Sequence, residues 1–134
     1  MIIEGGCYCK AVRYRAEGDP TIRAQCHCRE CQYIAGGAEN YLMVMPEAGF
    51  TYTKGEPKRF KRTDLERGVT REFCGDCGTH LTTRSRPGMV VVKVGGMDDP
   101  SVYGGPEIAL WTDEAQSWHL IPEGVKRFPG GLTR

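Results

Sequence analysis

Apolar and polar residues alternate along several short segments of the chain, as they do in β-strands with one buried face. Residues 8–15 ("YCKAVRYR") alternate in this way, and residues 89–94 ("MVVVKV") have the β-branched content of a buried strand. Shorter strands are predicted at residues 40–45, 50–53 and 69–73. The chain is therefore predicted to be mainly β.

Turn and helix signals agree with this prediction. The sequence contains 18 Gly and 8 Pro, which fall between the predicted strands and shorten them. Helical turns are predicted only at residues 28–35, which end at a Gly-Gly pair, and at residues 113–116. No repeat or linker divides the 134 residues, so residues 1–134 are predicted to form a single domain.

The charge distribution favours no large charged partner. The chain has 18 Lys and Arg against 17 Asp and Glu, and acidic residues interrupt its basic stretch, residues 54–62. This stretch is predicted to be a solvated hairpin, and we expect no nucleic-acid partner. No apolar run approaches the roughly 20 residues that a membrane span needs. The N-terminal segment does not resemble a signal peptide, so we expect a cytoplasmic protein without a membrane partner.

Seven cysteines dominate the candidate chemistry. In a reducing compartment, clustered thiols are more often metal ligands or catalysts than disulfides, and an odd number argues against a closed disulfide framework. They fall into three groups by spacing: Cys7 and Cys9 (C-x-C); Cys26, Cys28 and Cys31 (C-x-C-x-x-C); Cys74 and Cys77 (C-x-x-C). Such spacings favour zinc sites.

The groups can be divided between metal sites in two ways. Cys7 and Cys9 can join Cys74 and Cys77 in a four-thiolate structural zinc site, which leaves Cys26, Cys28 and Cys31 as a separate triplet. Alternatively, Cys74 and Cys77 pair with two thiols of the triplet. The first division is simpler, because it assigns every cysteine and ties the first strand to a distant turn.

A separate triplet would have the ligand number of a catalytic zinc site, in which the fourth position is left for water or substrate. Three thiolates make the metal a weak Lewis acid for water but leave it able to hold a further thiol. His27 lies between two of the cysteines and can instead close the site as a fourth ligand, although alternation favours its facing away. A closed triplet would be a second structural zinc site.

The cysteine segments, read together, resemble a known family. "GGCYC" (residues 5–9), "CHCREC" followed by "AGG" (residues 26–37) and "FCGDCGTHL" (residues 73–81) occur in the order typical of the glutathione-dependent formaldehyde-activating enzymes, the family that includes the centromere protein V domain. "VVVKVGGMDDP" (residues 90–100) also resembles this family. The resemblance extends over residues 2–120.

The resemblance implies a zinc-binding, mainly β fold of the Mss4-like type. It implies a structural zinc on Cys7, Cys9, Cys74 and Cys77, and an active-site zinc on Cys26, Cys28 and Cys31, two zinc ions per chain. The implied activity is that of a carbon–sulfur lyase that joins glutathione and formaldehyde to S-hydroxymethylglutathione, or catalyses a related reaction of a small thiol adduct.

The partner is then expected to be a small thiol such as glutathione. Lys10, Arg23 and Arg29 lie near the cysteine segments and are candidates to bind its carboxylates. A competing hypothesis is a non-catalytic zinc module that binds a small thiol or a protein, with the triplet closed or inert.

Overall fold

The computed structural model describes residues 1–132 and is mainly β, as predicted. Its one α-helix, α1, spans Arg29–Ile34, and short 3₁₀ turns occupy Glu47–Gly49, Val94–Gly96, Pro100–Tyr103 and Thr112–Glu114. The strands are β1 (Ile2–Gly6), β2 (Arg13–Glu17), β3 (Ile22–Cys26), β4 (Asn40–Pro46), β5 (Phe50–Lys54), β6 (Lys58–Phe60), β7 (Thr70–Phe73), β8 (His80–Arg84), β9 (Met89–Lys93), β10 (Ile108–Leu110) and β11 (Lys126–Arg127).

The strands form two sheets. The smaller has the order β1-β2-β5 and is antiparallel, and the larger has the order β11-β10-β3-β4-β9-β8-β7-β6. Along the order β3-β4-β9-β8-β7-β6, each strand is antiparallel to its neighbours. The strand β10 runs parallel to both β3 and β11. Within the described residues, no helix is long and apolar enough to cross a membrane.

The central strands of the larger sheet are apolar on both faces, because alternate residues of a strand point to opposite sides. Met43 and Met45 of β4 pack with Val90 and Val92 of β9 in a core shared with the smaller sheet. The intervening Val44 and the preceding Leu42 lie on the other face and belong to a second apolar cluster that contains Cys26 and Cys31. One face therefore fixes the two sheets together, and the other forms the floor below the cysteine triplet.

Two local predictions were wrong. Residues 8–12 do not continue a strand: Lys10 has a φ of +68°, and β2 begins only at Arg13. Residues 54–62 do not form a hairpin, since β5 pairs with β2 in the smaller sheet and β6 pairs with β7 in the larger one. The segment between β1 and β2 is instead a turn that contains Cys7 and Cys9. The basic stretch connects the smaller sheet to the larger one.

A buried carboxylate joins the far strands of the larger sheet. The side chain of Glu72 is 2% exposed, and its Oε2 accepts a 2.7 Å hydrogen bond from Arg59 Nε. Its Oε1 accepts hydrogen bonds from Tyr52 (2.9 Å), Arg84 (3.0 Å) and Thr82. Burial alone would raise the pKa of Glu72, but these hydrogen bonds and the charge of Arg84 hold the pKa below its ordinary value.

We expect Glu72→Gln to lower the free energy of unfolding at pH 7 by about 2–4 kcal/mol, because it leaves buried donors and a guanidinium without their charged acceptor. A carboxylate whose pKa is lowered by folding stabilises the protein above its unfolded pKa, about 4.3, and this stabilisation is lost as the pH falls through the folded pKa. The difference in the free energy of unfolding between wild type and Glu72→Gln should therefore shrink as the pH is lowered.

Urea unfolding at pH 7 and at successively lower pH measures this difference. Glu56→Gln removes an exposed carboxylate from the β5–β6 connection and should leave the free energy of unfolding within about 0.5 kcal/mol of wild type. Equal stabilities of Glu72→Gln and wild type at pH 7 would show that the network does not stabilise the fold.

Two cysteine clusters and an adjoining cleft

Four cysteines from two distant turns meet in one cluster. Cys7 and Cys9 lie in the turn after β1, and Cys74 and Cys77 lie in the turn between β7 and β8. The positive φ angles of Lys10 (+68°) and Gly78 (+79°) allow each turn to fold back tightly behind its cysteines. The cluster therefore ties the smaller sheet to the larger one.

The geometry of this cluster fits a tetrahedral metal. Its Sγ atoms are 3.6 Å apart between Cys7 and Cys9 and 3.8 Å apart between Cys9 and Cys74. A zinc ion bound by four sulfurs at about 2.3 Å requires sulfur–sulfur distances of about 3.8 Å, whereas a disulfide requires about 2.05 Å. The Val12 backbone N–H donates to Cys7 Sγ at 3.2 Å, as expected for a thiolate that needs hydrogen bonds. These four residues can hold a metal ion.

The other three cysteines form a separate cluster at the end of β3 and the start of α1. Cys26 is the last residue of β3, Cys28 is the N-cap of α1, and Cys31 lies in its first turn. Their Sγ atoms lie within 4.8 Å of one another, so this cluster too can hold a metal ion. Cys26 and Cys31 are buried and Cys28 is half-buried. The structure thus contains the division into four and three.

Hydrogen bonds distribute the protons of the triplet unequally. Hydrogen bonds from the neighbouring thiols and from Asn40 Nδ2, 3.6 Å away, lower the pKa of Cys31. Bonding to Cys28 and Cys31 raises the pKa of Cys26. The Cys31 backbone N–H also donates to Cys28 Sγ at 3.3 Å. Cys31 is therefore the sulfur of this cluster that most readily carries negative charge.

His27 faces away from the three sulfurs. It is fully buried, with its Nε2 2.9 Å from Gln25 Nε2 and its Nδ1 2.9 Å from His119 Nδ1. Gln25 Nε2 can only donate, so His27 Nε2 must accept and His27 Nδ1–H donates to His119. His119 Nε2–H in turn donates to the Gly37 carbonyl at 2.8 Å. Burial lowers the pKa of His27, in agreement with a neutral ring.

This chain of hydrogen bonds attaches the C-terminal segment to the triplet loop. Gln32 Nε2 extends the attachment by donating to the carbonyls of His27 (2.8 Å) and Glu114 (2.9 Å). The His27, Glu39 and His119 side chains form a third group close enough to hold a metal ion. Because each ring nitrogen already has a hydrogen-bond partner that its tautomer satisfies, a structural role explains the pair.

A cleft of about 290 Å³ opens beside the triplet and is lined by all three of its cysteines. Its floor is the second apolar face of the larger sheet: Ile22, Leu42, Val44, Met89, Val91 and Leu110. A larger cavity of about 390 Å³ lies beyond Glu30 and Arg71, which line both spaces and form an ion pair at 3.4 Å. Of these two spaces, the smaller one is lined by the sulfurs, so it is the candidate active-site cleft.

The cations of this cleft differ from those suggested by the sequence. Lys10, Arg23 and Arg29 do not line it: Arg23 pairs with Glu107 at 3.1 Å, and Arg29 lies 5.1 Å above the ring of Tyr33. The cleft is lined instead by three other cationic residues, Arg71, Arg86 and Lys93.

Lys93 is the buried member of this set, at 6% exposed. Burial lowers its pKa, and the charge of Cys31 opposes that shift. It lies in the buried strand predicted over residues 89–94, and a lysine in such a strand is itself a sequence signal of a special role, because lysine is almost never fully buried without a partner.

Comparisons with known proteins indicate the family of the chain. The family model "Glutathione-dependent formaldehyde-activating enzyme" matches residues 2–114. A Halomonas elongata protein named as a candidate glutathione-dependent formaldehyde-activating enzyme is 30% identical over 87 residues, 60% of this chain and 55% of that protein. The chain thus matches about half the length of this relative.

The fold also has a counterpart among solved structures. A crystal structure of a Rhodobacter sphaeroides protein superposes with a TM-score of 0.60 at 20% identity, covering 77% of this chain and 96% of that one. At this identity the likeness concerns the fold.

Proposed function

Because the chain belongs to the glutathione-dependent formaldehyde-activating enzyme family, we propose that it is a carbon–sulfur lyase-type enzyme. It joins glutathione to formaldehyde, giving S-hydroxymethylglutathione, or acts on a closely related thiol adduct. The reaction takes place in the cleft beside Cys26, Cys28 and Cys31.

The difference between the two cysteine clusters is the observation that carries this proposal. Four cysteines complete a tetrahedron by themselves, so the cluster around Cys74 has the ligand set of a structural zinc site. Three cysteines do not, and their cluster borders a cleft in which a fourth group can enter. We infer two zinc ions per chain, one on each cluster.

Addition of a thiol to formaldehyde requires few groups from the protein. The sulfur forms a bond to the carbonyl carbon, the C=O π bond breaks, and the proton that the thiol loses ends on the oxygen. Cys26, Cys28 and Cys31 would hold a zinc ion, which would supply positive charge that favours the thiolate form of a thiol. The cleft holds the two reactants together, which turns a bimolecular addition into an effectively unimolecular one.

The surroundings of the triplet support its role as a reacting site. Asn40 and the Cys31 backbone N–H orient the cysteine sulfurs, while the His27–His119 pair holds the loop on its other side. The apolar floor lowers the polarity beside the sulfurs, which strengthens electrostatic interactions there.

The test is the rate of exchange between glutathione, formaldehyde and their adduct at equilibrium, measured by NMR exchange spectroscopy. We expect the zinc-loaded protein to increase the exchange rate in proportion to its concentration, above the uncatalysed rate. Binding of glutathione without any increase would favour a non-catalytic zinc module. Absence of both would exclude glutathione as the partner.

A further inference from the structure

Lys93 occupies an unusual position for a charged residue. It belongs to β9, in register with Leu42 of β4, which is in turn in register with Ala24 of β3. This row of side chains lies next to the row that contains Cys26, so Lys93 extends towards the triplet along the apolar floor of the cleft. It is 94% buried (6% exposed), and the strand residues beside it on this face, Leu42 and Val91, are apolar.

Burying a lysine in apolar surroundings is costly unless its N–H groups have partners. Within residues 1–132, no hydrogen bond or ion pair involves the Nζ of Lys93, and the charges that act on it come from the triplet cysteines and Arg71. Arg71 itself is paired with Glu30. The Nζ–H groups of Lys93 are therefore donors without an acceptor, at the edge of a cleft that reaches the sulfurs.

We propose that Lys93 binds the oxygen of the substrate, holding the carbonyl or hydroxymethyl oxygen while the carbon–sulfur bond forms or breaks. This inference rests on the proposed function of the cleft and assigns a catalytic residue to it. Negative charge develops on this oxygen during the addition, and a buried N–H donor aimed at such an oxygen accelerates reactions of this kind by about 10²–10³-fold.

The atoms balance without a change in Lys93. The thiol gives up a proton, the carbonyl oxygen gains one, and Lys93 only donates hydrogen bonds to that oxygen throughout. The same donors would also bind a carboxylate held close to the sulfur, which provides a stable probe for the site.

Charge compensation is the other role that a buried lysine beside three thiolates can have. That role needs proximity but no hydrogen bond, so it predicts that substitution weakens metal binding at the triplet and that the neutral Lys93→Gln behaves like Lys93→Met. Oxygen binding predicts that substitution affects only ligands that carry an oxygen near the sulfur. The two roles can therefore be separated by comparing ligands.

Isothermal titration calorimetry of the zinc-loaded protein with thioglycolate and with ethanethiol makes this comparison. Thioglycolate carries a carboxylate next to its thiol and ethanethiol does not. We expect wild type to prefer thioglycolate by about tenfold or more, as for a charged hydrogen bond, and Lys93→Met to lose this preference while its zinc content stays unchanged. Lys93→Gln, which keeps an N–H donor, should retain part of it.

Lys54→Met is the matched control, because Lys54 is an exposed lysine at the end of β5. It should keep the full preference for thioglycolate. Equal affinities of wild type for the two thiols, or an unchanged preference in Lys93→Met, would overturn the assignment, and so would loss of triplet zinc in that variant. The preference for thioglycolate can depend on Lys93 even if the wild-type protein does not increase the rate of glutathione–formaldehyde exchange. That combination would refute the proposed reaction but would still identify Lys93 as the group that binds an oxygen near the sulfur.

Discussion

Replacing Cys74 by Ser is expected to prevent the protein from folding. Cys74 is 1% exposed and belongs, with Cys7, to the core that joins the two sheets. Structural zinc sites contribute about 10–16 kcal/mol of apparent binding free energy to folding, whereas domains have net stabilities of only about 5–15 kcal/mol. Losing one of four ligands should therefore remove most of the stability of the fold. Circular dichroism and urea unfolding of the purified variant measure the loss.

Cys28→Ser is the matched control for this experiment, because it makes the same chemical change in the other cluster. A Cys74→Ser variant that keeps the wild-type spectrum and unfolding midpoint would show that the four-cysteine cluster does not hold the sheets together.

The second large effect is expected in the activity of Cys28→Ser. Cys28 is the half-buried member of the triplet and borders the cleft, so its loss should leave the cluster unable to retain its metal. The rate of glutathione–formaldehyde exchange should fall to the uncatalysed rate, and the zinc content should fall by about one ion per chain.

The fold should survive this change for a specific reason. Cys28 is the N-cap of α1, with its Sγ accepting the backbone N–H of Cys31, and serine is among the preferred residues at that position. The free energy of unfolding should therefore change much less than in Cys74→Ser. An active Cys28→Ser variant would show that the triplet is not the reacting site.

The cysteine spacing predicted which cysteines lie together, whereas the strand pattern predicted only some of the strands. Division of the cysteines into four and three followed from counting, since a four-ligand tetrahedron accounts for Cys7, Cys9, Cys74 and Cys77, and the same clusters occur in the structure. That each binds zinc remains a prediction. The strand β4 was predicted almost to the residue, because its central residues are uniformly apolar.

Features that depend on tertiary contacts were not predicted. The strand β3 ("IRAQC") was not predicted because it contains the polar residues Arg23 and Gln25. The Gln25 side chain can be buried because its Nε2 donates hydrogen bonds to His27 and to the Leu120 carbonyl. The pair formed by His27 and His119 could not be predicted from local patterns, because the two residues are 92 positions apart. Lys93 lies beside the triplet only through the pairing of β9 with β4, which no local pattern contains.

The two cysteine clusters lie on opposite faces of the larger sheet. The four-cysteine cluster joins the sheets on one side of the larger sheet, and the triplet lies at the end of β3, over the opposite apolar face. A metal could thus leave the triplet without disturbing the core between the sheets.

Stepwise removal of zinc from the wild-type protein tests this division of labour most directly. A chelator is titrated while released zinc, exchange activity and circular dichroism are followed in the same sample. We predict that the first equivalent of zinc leaves with all of the activity and no change in the spectrum, and that the second leaves only as the protein unfolds. Release of both equivalents together with the fold, or full activity after the first has left, would contradict the assignment of catalysis to Cys26, Cys28 and Cys31.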